Sequence, residues 1–221
     1  MSARDRILTR VRRGAEAKAA PDADRAGSMR ARLATAGIQH ARTPAGACLT
    51  GEARIARFKE KIAAVDCTLS LVPDMAAAPA ALADVLRSRN MPVAVRMGTD
   101  PDFAGLDWAG IDASVGIGRI EEPATVSRAR AASAETGTLA LVSGPDNPVT
   151  LTFLGETHFI VIRRSEILAG LDDVWTYLRA SGLDPRTVNL VTGPSRSADI
   201  GQTLQLGAHG PVAVHVILVE D

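Results

Sequence analysis

Hydroxyls, glycines and an arginine crowd into Gly193-Pro194-Ser195-Arg196-Ser197, with Asp199 just beyond and His209-Gly210-Pro211 further on. The apolar segments that flank this stretch, Val188-Asn189-Leu190-Val191 before it and Ala213 to Val219 (AVHVILV) after it, read as buried strands. A strand that empties into Gly-Pro-Ser and then into a short polar helix turns backbone N–H groups and hydroxyls toward one spot, which suits a phosphate or a carboxylate. On this reading Ser195 and Ser197 hold the anion and Arg196 balances its charge. The competing reading is a turn in which Ser195 or Ser197 caps the helix and Arg196 is solvated.

A second polar run is Ala134-Glu135-Thr136-Gly137-Thr138. Its glutamate has the chemistry of a general base, a nucleophile or a partner for Arg196; the alternative is a helix-terminal carboxylate in a structural network. Both runs concentrate hydroxyls, glycines and a carboxylate between apolar elements. They are therefore expected to converge in one cleft beyond the carboxyl ends of strands, where open α/β sheets bind ligands. A Ser195–His209–Asp199 triad is not supported, because no GxSxG elbow surrounds the serine. His209 is expected to fix its loop, and His215, inside an apolar run, to be a hydrogen-bonded strand histidine. No HExxH or GxGxxG spacing occurs, so neither a metal site nor a standard dinucleotide fingerprint is expected.

The elements that must position these residues follow from periodicity. Residues 2–18 carry Ile7, Leu8 and Val11 at helical spacing among arginines, and 19–28 (AAPDADRAGS) read as a linker. The expected organisation is thus an N-terminal helical arm and linker over 1–28 and an α/β domain over 29–221. In the latter, Ile55, Phe58, Ile62 and Val65 mark a helix, Cys67 to Val72 a strand, Pro79 to Leu86 a helix, and Val93 to Val95 and Ser114 to Ile117 strands. Thr125 or Ser127 is expected to cap a helix running to Glu135, with Leu139 to Val142 the strand beyond it. Ser143 to Pro148 reads as a turn, Val149 to Leu154 as a hairpin return and Phe159 to Ile162 as a buried strand. A helix capped by Ser165 is expected to end before Gly182, with Trp175 among its inward residues. Alternating helices and strands point to a three-layer α/β sandwich around a mainly parallel sheet.

Acidic and basic residues balance at 25 each, which argues against a nucleic-acid partner. No apolar run reaches the roughly 18–20 residues of a membrane span, and the N-terminus lacks the apolar core of a secretory signal. A cytoplasmic protein is expected, with Cys48 and Cys67 reduced. Two cysteines cannot supply four thiolates to an iron–sulfur cluster.

GPSRSADI (193–200) followed by LGAHGP (206–211), with the AETGT run (134–138) upstream, resembles the signature of the lactate utilization protein C family, built on the LUD domain. The likeness covers roughly the C-terminal two-thirds of the chain; many relatives carry threonine at the position of Ser197, which keeps the hydroxyl. The resemblance implies a Rossmann-like sheet related to the ribose-phosphate isomerase and CoA-transferase group. It also implies a role in oxidising L-lactate to pyruvate, as the component without a cluster beside iron–sulfur partner proteins. Such a subunit would bind a small carboxylate through Thr136, Gly137, Thr138, Gly193, Pro194, Ser195, Arg196, Ser197, Asp199, His209 and Gly210, with no cofactor or metal of its own and scope for self-association. The alternatives are a free-standing CoA-transferase-like or sugar-phosphate enzyme using Glu135, and a ligand-binding regulator.

Overall fold

The computed structural model describes residues 3–18, 27–28, 30–31, 44–197, 205–207 and 209–220. They fall into two units, Met1–Thr43 and Pro44–Asp221. The first carries helix α1 (Ala3–Lys18), as its apolar spacing predicts; most of the expected linker lies outside the described residues. Among the described residues no helix is long and apolar enough to cross a membrane.

The second unit opens with α2 (Gly51–Ala64), which buries Ile55, Phe58 and Ile62, the stripe its sequence spacing predicts. Then follow β1 (Thr68–Val72), α3 (Ala78–Ser88), β2 (Ala94–Met97), β3 (Asp112–Val115) and β4 (Ala124–Arg128). A hairpin of β5 (Ala131–Ser133) and β6 (Thr138–Val142) leads to α4 (Val149–Phe153), β7 (Thr157–Arg163), β8 (Ile167–Leu168), α5 (Leu171–Ala180) and β9 (Val188–Val191). Two-residue strands β10 (Arg196–Ser197) and β11 (Gln205–Leu206) precede β12 (Ala213–Val219).

Six strands form one parallel sheet in the order β1-β12-β7-β4-β2-β3. Successive side chains of its inner strands divide between two cores. Ile160, Ile162, Val216 and Leu218 pack with α2 on one face; Phe159, Val161, Ile217 and Val219 pack with Leu82 and Leu86 of α3 on the other. The second sheet, β8-β5-β6-β9, mixes parallel and antiparallel pairs. It shares the α2-side core through Ala132, Leu139 and Leu141 and packs Ala131, Ala140 and Val142 against Val174 and Leu178 of α5. The fold is α/β, but a second sheet lies within the layer expected to hold helices alone.

That sheet exists because residues 125–135 are not a helix. Ala129, Ala131, Ala132 and Ala134 are wholly buried, and Ala131 and Ala132 face opposite cores. A strand covered on both faces selects small side chains, and packing there outweighs the helix propensity of alanine. Thr125 and Ser127 are accordingly interior residues of β4 rather than caps. Val149 to Leu154 is a correction of the opposite kind: its alternation predicts a strand, yet Pro148 leads into α4, where Leu151 and Thr152 turn inward. Ser165 lies in a short 3-10 turn, and α5 begins only at Leu171, where Asp173 accepts from the Gly170 N–H at 3.0 Å. Trp175 is partly exposed rather than inward, while Gly182 takes the expected left-handed conformation after the helix. Strand β9 is an edge strand with Leu190 exposed, not the buried strand expected.

The carboxyl ends of β2 and β4 are where the chain reverses its progress across the sheet. The segment leaving β2 packs Phe103 on the α3 side, while the segment leaving β4 passes to the α2 side through Ala129. Charged side chains meet there. Arg128, 1% exposed, donates to Asp102 (2.9 Å) and Glu166 (2.7 Å), and Arg130 donates to Asp100 (2.7 Å) and Asp146 (2.8 Å). Burial raises the Asp100 carboxyl despite Arg130 beside it. Burial acts the same way on Asp102, but its bonds to Arg128 and Arg163 outweigh it and hold that carboxyl below the usual range. Removing the central cation leaves Asp102 with Arg163 as its remaining cation and Glu166 with the Arg163 backbone N–H. Arg128→Met should therefore lower stability by about 3–5 kcal/mol in urea denaturation; a loss below about 1 kcal/mol would show the network to be dispensable.

Candidate functional site

Three contacts bring the polar stretch to the C-terminal end of α2. Gly193 takes φ +91, and a Cβ there would lie 2.8 Å from the Val65 carbonyl oxygen. Its N–H hydrogen-bonds the buried Cys67 thiol, which burial pushes up to about 11. Arg196 pairs with Asp66. The second run reaches the same helix end: Gly137, at φ +70, would put a Cβ 2.9 Å from the Lys61 backbone. Only a residue without a side chain permits both the backbone angle and the approach. At their bases the two runs are joined by hydroxyls, Thr136 to Thr138 at 2.7 Å and Thr138 to Thr192 at 2.7 Å.

Beyond Thr192 the chain folds over a cavity of about 200 Å³. Gly193, Pro194, Ser195, His209, Gly210 and Pro211 form one wall, with Thr192, Leu190 and Val191 from the end of β9, Thr152 and Phe153 from α4, and His158 and Val214 from the starts of β7 and β12. Ser195 holds this wall together. Its N–H donates to the Pro211 carbonyl (2.9 Å), its carbonyl accepts from Gly207 (3.0 Å), and its hydroxyl oxygen accepts from the His209 N–H (3.3 Å). The hydroxyl proton of Ser195 is left to donate.

Five of the expected ligand-binding residues thus line one space: Gly193, Pro194, Ser195, His209 and Gly210. Thr138 touches it only through Thr192, and Thr136 and Gly137 lie behind. Glu135 sits in the β5–β6 hairpin turn rather than at a helix end, and its side chain faces Gly46 and Gly170. The two runs meet at their threonines while the carboxylate points elsewhere. Ser197 belongs to β10, paired with Gln205, so no helix starts at Arg196; Asp199 lies outside the described residues. The cavity lies at the carboxyl end of β9, as expected, but at the amino-terminal ends of β7 and β12 in the main sheet.

His158 was not among the residues singled out by sequence. It is fully buried, and among the described residues neither ring nitrogen has a hydrogen-bond partner; the Thr152 hydroxyl is in the same condition. Burial lowers the imidazole to about 3, so it is neutral. His215, on the opposite face of the same sheet, is the satisfied strand histidine expected, bonded to Thr68 (2.6 Å) and Ser70 (3.0 Å). Among the described residues the cavity lining holds no lysine, arginine, aspartate or glutamate, and no cluster of three or more His, Cys, Asp or Glu is placed to hold a metal ion. What the cavity can do is receive a small molecule through hydroxyls, backbone groups and an uncharged imidazole. Its volume is below the ~300–1,000 Å³ of drug-sized sites.

A family model of the LUD domain matches residues 123–219, a shorter stretch than the two-thirds expected. The chain is 37% identical over 92 residues to a lactate utilization protein C of a Geobacillus species, and equally so over 92 residues to that of Bacillus subtilis. Each match takes in 40% of this chain and 38% of the relative. A third, from an Exiguobacterium species, is 34% identical over 100 residues, 43% of this chain and 44% of the relative. The matches therefore span less than half of these relatives. The crystal structure of a DUF162 family protein from Deinococcus radiodurans shares the fold, with a TM-score of 0.57 over 77% of this chain and 99% of that one, at 22% identity.

The two buried histidines also set a pH dependence. Both are lowered from the ordinary 6.5, His158 to about 3 by burial and His215 to about 4 by burial and then Arg89. Unfolding lets each take up a proton that the folded chain refuses, so stability is full above pH 6.5 and falls as the pH drops toward 4. Urea denaturation at stepped pH should show the decline, at about 1.4 kcal/mol per pH unit for each proton bound. Unchanged stability from neutral pH down to pH ~4.5 would contradict neutral burial of both rings.

Proposed function

We propose for this chain, a LUD-domain member of the lactate utilization protein C family, the role of cluster-free component in L-lactate utilization. It works in the cytoplasm with iron–sulfur partner proteins that carry the electrons when L-lactate is oxidised to pyruvate, and its own part is to bind a small carboxylate. The observation that carries the reading is the cavity under the family's signature stretch, walled by Gly193, Ser195, His209 and Gly210. Its size suits a molecule of a few heavy atoms, and the Ser195 and Thr152 hydroxyls with the neutral His158 imidazole are the groups it offers to a small carboxylate. Arg196, committed to Asp66, is not needed for that binding.

Cysteine content supports the division of labour, since Cys48 and Cys67 are both free and too few to ligate a cluster. Affinity capture of the full chain from its own cells grown on L-lactate should recover cysteine-rich iron–sulfur proteins, and deleting its gene should abolish growth on L-lactate. Normal growth after deletion, with no such partners captured, would refute the role. A free-standing enzyme using Glu135 is the competing function. In that case the isolated chain turns over an acyl or sugar-phosphate substrate and Glu135→Gln stops it; on the reading preferred here the variant leaves L-lactate binding unchanged, as titration calorimetry would show.

A further inference from the structure

We propose that His158 is the recognition residue of this cavity, presenting one N–H and one lone pair to a ligand whose polar end both accepts and donates a hydrogen bond, with the Thr152 hydroxyl as a second contact. The inference rests on the reading above for the cavity being a ligand site, and not on the ligand being lactate.

A wholly buried imidazole with two unpaired nitrogens is rare in a folded protein, because each unpaired polar atom there is destabilising. Nothing beside it in the sheet relieves the deficit. Its cross-strand neighbours are Val214, which has no polar side-chain atom, and Thr125, whose hydroxyl donates to the Leu151 carbonyl at 2.7 Å. Thr152, from a different element, brings a second unpaired hydroxyl to the same cavity. Two such groups from α4 and β7, closed off from bulk water and bordering one small space, form a polar end awaiting a complement. Their neutrality selects the chemistry: a hydroxyl or primary amide matches a donor–acceptor pair.

The test uses the full chain, with histidine ring nitrogens followed by 15N NMR during titration with acetamide, a neutral donor–acceptor probe, and separately with L-lactate. Saturable shifts of both His158 nitrogens are expected. His158→Phe should weaken binding at least about tenfold while raising Tm, since it removes unpaired buried atoms. Thr152→Val, which keeps the shape of the side chain, provides a second arm if the first variant does not fold and should also weaken binding. If acetamide shifts the nitrogens and L-lactate does not, the lactate reading fails and the recognition residue stands. If L-lactate binds with the nitrogens unmoved and both variants keep its affinity, the recognition residue fails and the lactate reading stands. If neither probe perturbs the ring, the inference is overturned and the unpaired nitrogens belong to buried water.

Discussion

Two backbone turns far apart in sequence rest on the last residues of one helix, and they do so because neither carries a side chain at the point of contact. A Cβ on Gly137 would meet the Lys61 backbone at 2.9 Å and one on Gly193 would meet the Val65 carbonyl at 2.8 Å, both inside normal van der Waals contact. The left-handed angles of the two glycines make the same demand independently. Seating both turns on α2 fixes where β6 and β9 pair, with Leu139 opposite Val191, and so sets Thr138 beside Thr192. The wall of the cavity then continues from Thr192 and is anchored through Ser195 to Gly207, His209 and Pro211.

Within the main sheet, side-chain alternation gives two histidines different lives. His215 on β12 and His158 on β7 lie on adjacent strands but point to opposite faces. The first meets Thr68 and Ser70 across the β1 edge; the second meets valine and an occupied threonine. The same burial makes both imidazoles neutral, but only one has its hydrogen bonds returned within the protein. This difference depends on strand order, since β1 joins β12 and β4 joins β7 only after the chain has crossed the sheet.

That dependence explains what could be read from the sequence. The long apolar runs of β7 and β12 and the stripe of α2 are local signals, and the glycine-bearing turns are legible because only a few residue types adopt their backbone. Ala129 to Ala134 misleads because alanine favours a helix locally, and its fitness for a doubly covered strand appears only once α2 and α5 are in place. Residues 149–154 alternate by chance across a single helical turn. His158 is silent for a further reason: a histidine at the start of an apolar run looks the same whether its neighbours satisfy it or not. Glu135 stands out by type, but direction, which the hairpin decides, separates it from the cavity.

The position of the cavity at the amino-terminal ends of β7 and β12 departs from the usual rule for open α/β sheets, and the reason is physical. The crevice at the carboxyl ends of β2 and β4 is where that rule puts a ligand, and here Arg128 and Arg130 with their carboxylates occupy it. A buried guanidinium held by Asp102 and Glu166 leaves no vacant charge to recognise a substrate and would cost several kcal/mol to break. At the other end, α2 stops at Ala64, and the turns that follow β9 and precede β12 wall a cavity there. The chain thus puts its charges where they lock the sheet and its unspent neutral hydrogen bonds where the sheet is open. A ligand received there would meet hydroxyls and an imidazole rather than a charged side chain among the described residues.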